Sequence, residues 1–343
     1  MKLNKKSFKL QQNILVLIAM FVLIAIFYVL NPNFIDKYNI NSMAQNLTPY
    51  AIMGLGVTFV IATGGIDLSI GTVCIASAVC AGKLFTTGTI PLWATIPIMC
   101  GIGLLFGLIN GLLVAKLKIP NFIATLGTML ISRGLSALLV KDSNIFYPNG
   151  TWYNKLFSSV TYKKYIIPTC FVWVIVLMII CMYFMYKNKA GRYILAIGSN
   201  EEATRLSGIN TDNYKILAYA ICGLFAGIAA IFWSASFTTI QPSTGNGFEL
   251  EAIAGVYIGG TSAAGGMASV SGSVIGAVLL AVIRGGLNIV LAKFNLNLNA
   301  TYVTYVLTGI IVVMAVFIDV IKTKNQNKVK IEKPAKEKNK KGK

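Results

Sequence analysis

Residues 14–30 read ILVLIAMFVLIAIFYVL, a run without a charged residue, a glycine or a proline. A helix needs roughly 20 mostly apolar residues to cross about 30 Å of hydrocarbon, and this run approaches that length. The lysines ahead of it also fit a signal peptide. However, the run is longer than the usual apolar core, and Asn31-Pro32-Asn33 offers no cleavage site of small residues. The stretch therefore predicts an uncleaved membrane helix.

The rest of the chain has the same apolar character. Of its 343 residues, 56% are hydrophobic and only 12% are charged, whereas an ordinary soluble domain carries roughly 25% charged residues. Turn signals divide the sequence into candidate spans at 14–30, 44–63, 68–87, 92–115, 120–140, 165–186, 214–234, 249–264, 268–291 and 301–321. These predict an all-α polytopic membrane protein of about ten transmembrane helices. The short, glycine-bounded segment 249–264 could be a re-entrant or broken helix.

Glycines recur four residues apart inside several spans. They are Gly103, Gly107 and Gly111, then Gly223 and Gly227, then Gly272 and Gly276. In lipid, small residues at this spacing let helix backbones approach closely. We expect a tightly packed bundle.

Basic residues indicate the orientation of the bundle. The formal net charge is +19, and with the N-terminus inside, 21 Lys and Arg residues fall on the cytoplasmic side against 7 on the other. Cytoplasmic loops show this excess. We expect a multi-pass protein of the cell membrane with both termini cytoplasmic: a tail at 1–13, a transmembrane domain at 14–321 and a basic disordered tail at 322–343. That tail suits anionic lipid, and no basic face in the spans favours nucleic acid.

The sequence lacks the residues that several kinds of catalytic and metal-binding sites require. The chain has no histidine, the commonest metal ligand and the usual proton carrier near neutral pH. Its six cysteines lie singly in apolar segments, which favours packing over a disulfide frame or a metal site. The fragment closest to a phosphate-binding loop, Gly82-Lys83, continues with Leu84. We expect neither an enzyme nor a site for a metal or cofactor.

The first of three polar segments interrupts the apolar background after residue 63. Gly64 and Gly65 break one helix, and Asp67 and Ser69 open the next. A carboxylate at membrane depth is costly and often functional, but Asp67 could also cap the next helix by accepting its free N–H groups. Both interpretations stay open. We predict that this break and Asn110 form part of a translocation path.

The second segment joins two glutamates to a glycine pair. Glu249 and Glu251 are two residues apart, so on a helix they diverge and cannot form a catalytic pair. We expect them to cap the helix or to lie near the outer mouth. Gly259 and Gly260 follow, and glycine pairs suit non-helical backbone that lines a cavity. Glu249, Gly259 and Gly260 are therefore further candidates for the path or its gate.

The third segment predicts a short helix in the longest cytoplasmic loop. Asn200 is a good N-cap, Glu201 and Glu202 suit the positive end of the helix dipole, Arg205 suits the last turn and Gly208 a left-handed C-cap. The pattern fits a plain connector and a docking helix equally well.

Seven stretches follow one another in the order of a known family. They are GGIDLS at 64–69, GLINGLLV at 107–114, KIPNFIATLGTM at 118–129, AIGSNEEA at 196–203, LSGIN at 206–210, ELEAIA at 249–254 and IGGTS at 258–262. Together they resemble the permease subunits of ribose-type ABC importers. One departure is the run Arg284-Gly285-Gly286-Leu287, where the family commonly has Asn-Gly-Leu.

The resemblance implies a non-enzymatic permease for a small sugar. Its implied partners are a cytoplasmic ATP-binding subunit that hydrolyses ATP, an extracytoplasmic solute-binding protein, and a second permease, identical or closely related. It further implies that one segment couples the permease to the ATP-binding subunit, through Gly198, Asn200, Glu201, Glu202, Ala203, Arg205 and Gly208. Nucleoside and branched-chain amino-acid importers remain alternatives. So does an ion-coupled transporter, although such proteins ordinarily place carboxylates or histidine at mid-span.

Overall fold

The computed structural model describes residues 5–163, 165–294, 302–303, 306–310, 313–314 and 317. Its α-helices up to residue 294 are α1 Lys5–Leu30, α2 Lys37–Ala62, α3 Ile70–Thr86, α4 Thr95–Ala115, α5 Asn121–Val140, α6 Trp152–Phe157, α7 Thr169–Lys187, α8 Lys189–Ser199, α9 Glu201–Leu206, α10 Thr211–Ser236, α11 Phe248–Ile258 and α12 Val270–Lys293. The tail 322–343 and most of the predicted span 301–321 lie outside the described residues.

Four short strands connect helices within the described residues. They are β1 Ile145–Phe146, β2 Val160–Tyr162, β3 Tyr165–Ile167 and β4 Thr239–Ile240. Antiparallel pairs form between β1 and β4 and between β2 and β3. With so little strand structure, the prediction of an all-α polytopic membrane protein is confirmed.

Six helices in the described part are long and apolar enough to cross a membrane. They are Asn13–Leu30, Leu92–Ala115, Asn121–Val140, Thr169–Lys187, Thr211–Ser236 and Val270–Leu291. The shorter α3 is also apolar, and α2, at 26 residues, is about 39 Å long at 1.5 Å per residue. Each matches a predicted span to within seven residues at either end.

The predicted span 249–264 is a short helix followed by a turn. α11 has 11 residues, or about 16 Å at 1.5 Å per residue, roughly half of the hydrocarbon thickness. The helix ends at Ile258, and a turn containing Gly259 and Gly260 leads to α12. The alternative of a broken helix is therefore the correct one here.

The core forms around α2 and α10. Every residue from 47 to 62 on α2 is buried. The predicted glycine contacts join α10 to α4: a Cβ on Gly103 would overlap the carbonyl oxygen of Gly223, and one on Gly227 would overlap that of Met99. A Cβ on Gly276 of α12 would likewise overlap the carbonyl oxygen of Gly255 on α11. The small residues thus set the helix spacing, as expected from their four-residue repeat.

Candidate functional site

The break between α2 and α3 is built by two glycines with different tasks. Gly64 has φ +83°, a left-handed conformation that glycine adopts at no steric cost. Gly65 is needed for space, because a Cβ there would lie 2.8 Å from the hydroxyl oxygen of Tyr219. That hydroxyl donates to the carbonyl oxygen of Ile66 at 3.2 Å. The non-helical chain is therefore fixed against α10.

Asp67 lies at the centre of a buried polar network and is only 1% exposed. Its Oδ1 accepts from the backbone N–H of Ser69 at 2.9 Å and from the Ser69 hydroxyl at 2.7 Å. Asn110 donates to Ser69 Oγ at 2.8 Å and accepts from Thr128 Oγ1 at 2.7 Å. The network joins the break to α4 and α5. The Asp67 carboxylate accepts from the N–H of Ser69, the residue that precedes α3, and not from an N–H of the helix itself, so this network differs from the helix cap that the sequence suggested.

A polar seam continues along α5. Thr125, Thr128, Ser132 and Ser136 are buried at spacings of three or four residues, so they share one face of the helix. Ser132 Oγ lies 2.8 Å from Thr72 Oγ1 of α3. This seam was not predicted, although the spacing of hydroxyl side chains between residues 125 and 136 indicates it.

Glu249 and Glu251 point to different neighbours, as predicted from their spacing. Both lie in the first turn of α11 and both are 8% exposed. A Cβ on Gly71 of α3 would lie 2.7 Å from Glu249 Oε2, an atom without a hydrogen-bond partner among the described residues. Glu251 instead forms an ion pair with Arg284 of α12.

Gly259 and Gly260 are packing and turn residues. A Cβ on Gly259 would overlap the carbonyl group of Gly272 on α12, and Gly260 has φ +88°. Their role in a path or gate stays a prediction.

The capping pattern of the predicted cytoplasmic helix is confirmed in α9. The Asn200 side chain accepts from the backbone N–H of Ala203 at 2.9 Å. Glu201 and Glu202 occupy the first turn and Arg205 the last. Gly208 has φ +82°. The amphipathic α8 immediately before it was not predicted, because its 11 residues are too few for a membrane span.

Charged side chains fix α9 to α10. Glu201 Oε2 lies 2.6 Å from Lys215 Nζ, and Glu201 Oε1 lies 3.2 Å from Arg205 Nη2. Partial burial by itself would raise the pKa of Glu201, but the hydrogen bond from Lys215 and the charges of Lys215 and Arg205 hold that pKa below its ordinary value. Nearby, Asp212 pairs with Lys118 at 2.7 Å, which ties the start of α10 to the connection between α4 and α5.

The predicted coupling segment and the break meet at one end of the bundle. A Cβ on Gly198 of α8 would overlap the carbonyl oxygen of Ala62, and the N–H of Gly266 donates to that same oxygen at 3.0 Å. Gly265, with φ +80°, packs against Gly64. Segments that the sequence offered as separate candidates are thus in direct main-chain contact.

Comparison with known proteins agrees with this architecture. Residues 39–316 match the family model described as the permease component of branched-chain amino acid transport systems. The chain belongs to this permease family. The ribose import permease protein RbsC of Escherichia coli (strain K12) is 36% identical over 308 residues, covering 88% of this chain and 92% of that protein.

The matches to two further relatives also cover most of the length of each protein. RbsC of Bacillus subtilis (strain 168) is 33% identical over 303 residues, or 88% of this chain and 91% of the relative. The galactose/methyl galactoside import permease protein MglC of Escherichia coli (strain K12) is 32% identical over 349 residues, or 93% and 98%. The permease is accordingly a multi-pass membrane protein similar to permeases named for sugar import.

Proposed function

We propose that this chain is the membrane-spanning subunit of an ATP-driven importer for a small sugar. The observation that carries the proposal is its similarity, over nearly the whole chain, to permeases named for ribose and galactose import. The contact between the α8–α9 segment and the break before Asp67 supports it, because an importer driven from the cytoplasm needs such a connection.

ATP hydrolysis is assigned to a separate cytoplasmic subunit. This chain lacks a phosphate-binding loop and offers a docking face instead. On α9, Glu202, Ala203 and Leu206 are exposed, and Leu206 is 84% exposed although it is apolar. Glu201 on the same helix is held by Lys215 of α10. The exposed face therefore fits a groove of the ATP-binding subunit.

The other partners follow from the same division of labour. An extracytoplasmic binding protein delivers the sugar, and a second permease subunit completes the path between two bundles surrounded by lipid. Both termini lie in the cytoplasm, in accord with the excess of 21 over 7 basic residues. Ready labelling, in intact cells, of a cysteine placed beyond Lys322 by an impermeant reagent would contradict this orientation.

The network around Asp67 acts as the closed gate of the path. Asp67, Ser69 and Asn110 satisfy one another and are at most 2% exposed. Opening exchanges these hydrogen bonds for water, which is possible only where the backbone faces an aqueous cavity and not lipid. Gly64 and Gly65 hold the non-helical backbone beside this network, and we place Glu249, Gly259 and Gly260 at the border of the path.

Uptake assays in cells distinguish a sugar from the two alternative solutes, a nucleoside and a branched-chain amino acid. A host that lacks its own transporters receives this permease with its ATP-binding subunit and binding protein, and is offered labelled ribose, galactose, adenosine or leucine. Accumulation of a sugar alone supports the proposal. Uptake of adenosine or leucine alone favours the corresponding alternative, and uptake abolished by a proton uncoupler at constant ATP favours an ion-coupled transporter.

A further inference from the structure

A cavity of about 100 Å³ lies between α2, α11 and α12, away from the network around Asp67, and its lining is more apolar than polar. Its lining includes Asn46 and Tyr50 of α2, Glu251 of α11, and Arg284 and Asn288 of α12. One water needs roughly 10–15 Å³ of cavity volume. The cavity therefore holds about seven to ten water-sized groups, which is close to the size of a pentose.

An ion pair dominates this cavity. Arg284 Nη2 donates to Glu251 Oε1, and the side chains are 25% and 10% exposed. Replacing such a pair by apolar residues of similar volume is often neutral or stabilising, and charged residues within membrane helices tend to mark functional paths. A guanidinium has five N–H donors, more than one carboxylate accepts. Arg284 therefore keeps donors for a further partner.

An aromatic ring forms another part of the wall. The guanidinium carbon of Arg284 lies 5.3 Å from the ring centre of Tyr50. Phe248 packs edge-on against Tyr50 at 5.1 Å, and Trp233 does so at 6.4 Å. The ring is thus held rigidly beside the charged pair. Fixed donors, a fixed acceptor and an aromatic surface together suit a ligand with several hydroxyl groups and apolar C–H edges.

The charge of the lining limits the class of ligand. Among the lining residues, Glu251 and Arg284 carry the charges, and they cancel. The carboxylate of Glu251 would repel the phosphate group of a lipid, and the guanidinium of Arg284 would repel a cation. A neutral polyhydroxylated molecule accepts from the guanidinium and donates to the carboxylate without leaving either charge uncompensated.

We propose that this cavity is a contact site for a small neutral sugar on its way through the permease, with Arg284 as hydrogen-bond donor and Glu251 as acceptor. The inference rests on the proposed function and deepens it, because it assigns recognition of the solute to the permease itself. It also gives a role to Arg284, a charged residue within the apolar helix α12.

The test is uptake of labelled ribose and galactose by proteoliposomes containing the permease, its ATP-binding subunit and its binding protein. Arg284→Gln and Glu251→Gln should lower the uptake rate about tenfold, as expected when one charge-assisted hydrogen bond to the solute is lost. ATP hydrolysis stimulated by the loaded binding protein should change less than twofold. Asn288→Ala, at an exposed position, should raise the KM for transport without breaking the ion pair.

Asn213→Ala provides the matched control, because Asn213 is an exposed asparagine on α10 outside the cavity. Should Arg284→Gln or Glu251→Gln fail to fold, Asn288→Ala and Asn46→Ala still test whether the cavity contacts the sugar. Normal transport by all folded cavity variants overturns the proposal. A loss explained by dissociation of the permease dimer assigns the cavity to a subunit interface, and a loss restored by changing the lipid headgroups assigns it to lipid. If the wild type itself imports no sugar, the proposed function fails, which is a different result.

Discussion

Gly198 of α8 packs directly on the main chain of Ala62, the last residue of α2, and the space between them cannot hold a Cβ. α9 begins three residues after Gly198, and Gly64 follows two residues after Ala62. We therefore propose that a movement of α9 reaches the break before Asp67 through this contact between two backbones. Because backbones cannot rotate away as side chains can, this contact transmits displacement well.

Gly198→Ala should weaken both stability and coupling. A Cβ at this position overlaps the Ala62 carbonyl oxygen, and such overpacking typically costs about 1–3 kcal/mol. We expect a lower melting temperature and a lower ratio of solute imported to ATP hydrolysed. Gly101→Ala is the control, since a Cβ on Gly101 meets nothing within 4 Å. Equal behaviour of the two variants would remove Gly198 from the coupling route.

Leu206→Lys should separate docking from folding. Leu206 is 84% exposed, and a surface substitution of this kind usually changes stability by less than about 0.5 kcal/mol. The variant should insert and dimerise normally but fail to retain the ATP-binding subunit on an affinity column. Glu202→Lys and Ala203→Asp should act in the same direction. Lys189→Glu, an exposed charge change on α8, should retain the subunit. Retention by all three α9 variants would make this loop a plain connector.

Asp67→Ala should reduce transport more than it reduces the yield of folded protein. It leaves the Ser69 N–H and hydroxyl without their acceptor, at a cost of about 1–3 kcal/mol per buried unsatisfied group. Asp67→Asn keeps an oxygen at this position and should restore most of the yield. Comparing uptake per folded molecule in the two variants separates a role in the gate from a role in folding. A defect that lost yield accounts for entirely would assign Asp67 to the local structure of the break alone.

The attachment of α9 to α10 should not vary with pH near neutrality. A depressed carboxyl pKa stabilises the folded contact above the ordinary value of about 4.3, and this contribution is lost as the pH falls through the folded-state pKa. For Glu201 the shift is downward, so the mobility of a spin label at residue 203 should stay constant from about pH 6 to 8 and rise only below the ordinary glutamate pKa of about 4.3. Glu201→Gln should increase mobility throughout, and Glu202→Gln should not. A change in wild-type mobility between pH 6 and 8 would contradict this assignment.

The sequence predicts local features of this permease better than contacts between distant segments. The caps of α9 are correct because Asn200, Glu202 and Gly208 act within a few residues. The four-residue spacing of Gly103 and Gly107 likewise reveals a packing face. However, spacing alone does not identify the partner across that face.

Contacts between distant residues were not predicted for the same reason. Glu251 and Arg284 are separated by 33 positions, and Gly198 and Ala62 by more than a hundred. In both pairs, the sequence around one residue gives no indication of its partner. The end of α11 at Ile258 also depends on tertiary contact: Gly259 meets Gly272 there, whereas hydropathy alone extended the predicted span to residue 264.

Sugar uptake into proteoliposomes assembled from purified components shows whether this permease is part of an ATP-driven importer. Complete vesicles contain this permease, its ATP-binding subunit and ATP, with the sugar-loaded binding protein on the opposite side of the membrane. We predict accumulation of labelled sugar that requires all of these components, and no ATP hydrolysis by the permease alone. Accumulation that persists without the ATP-binding subunit, or continues when ATP is replaced by a non-hydrolysable analogue, would contradict the account.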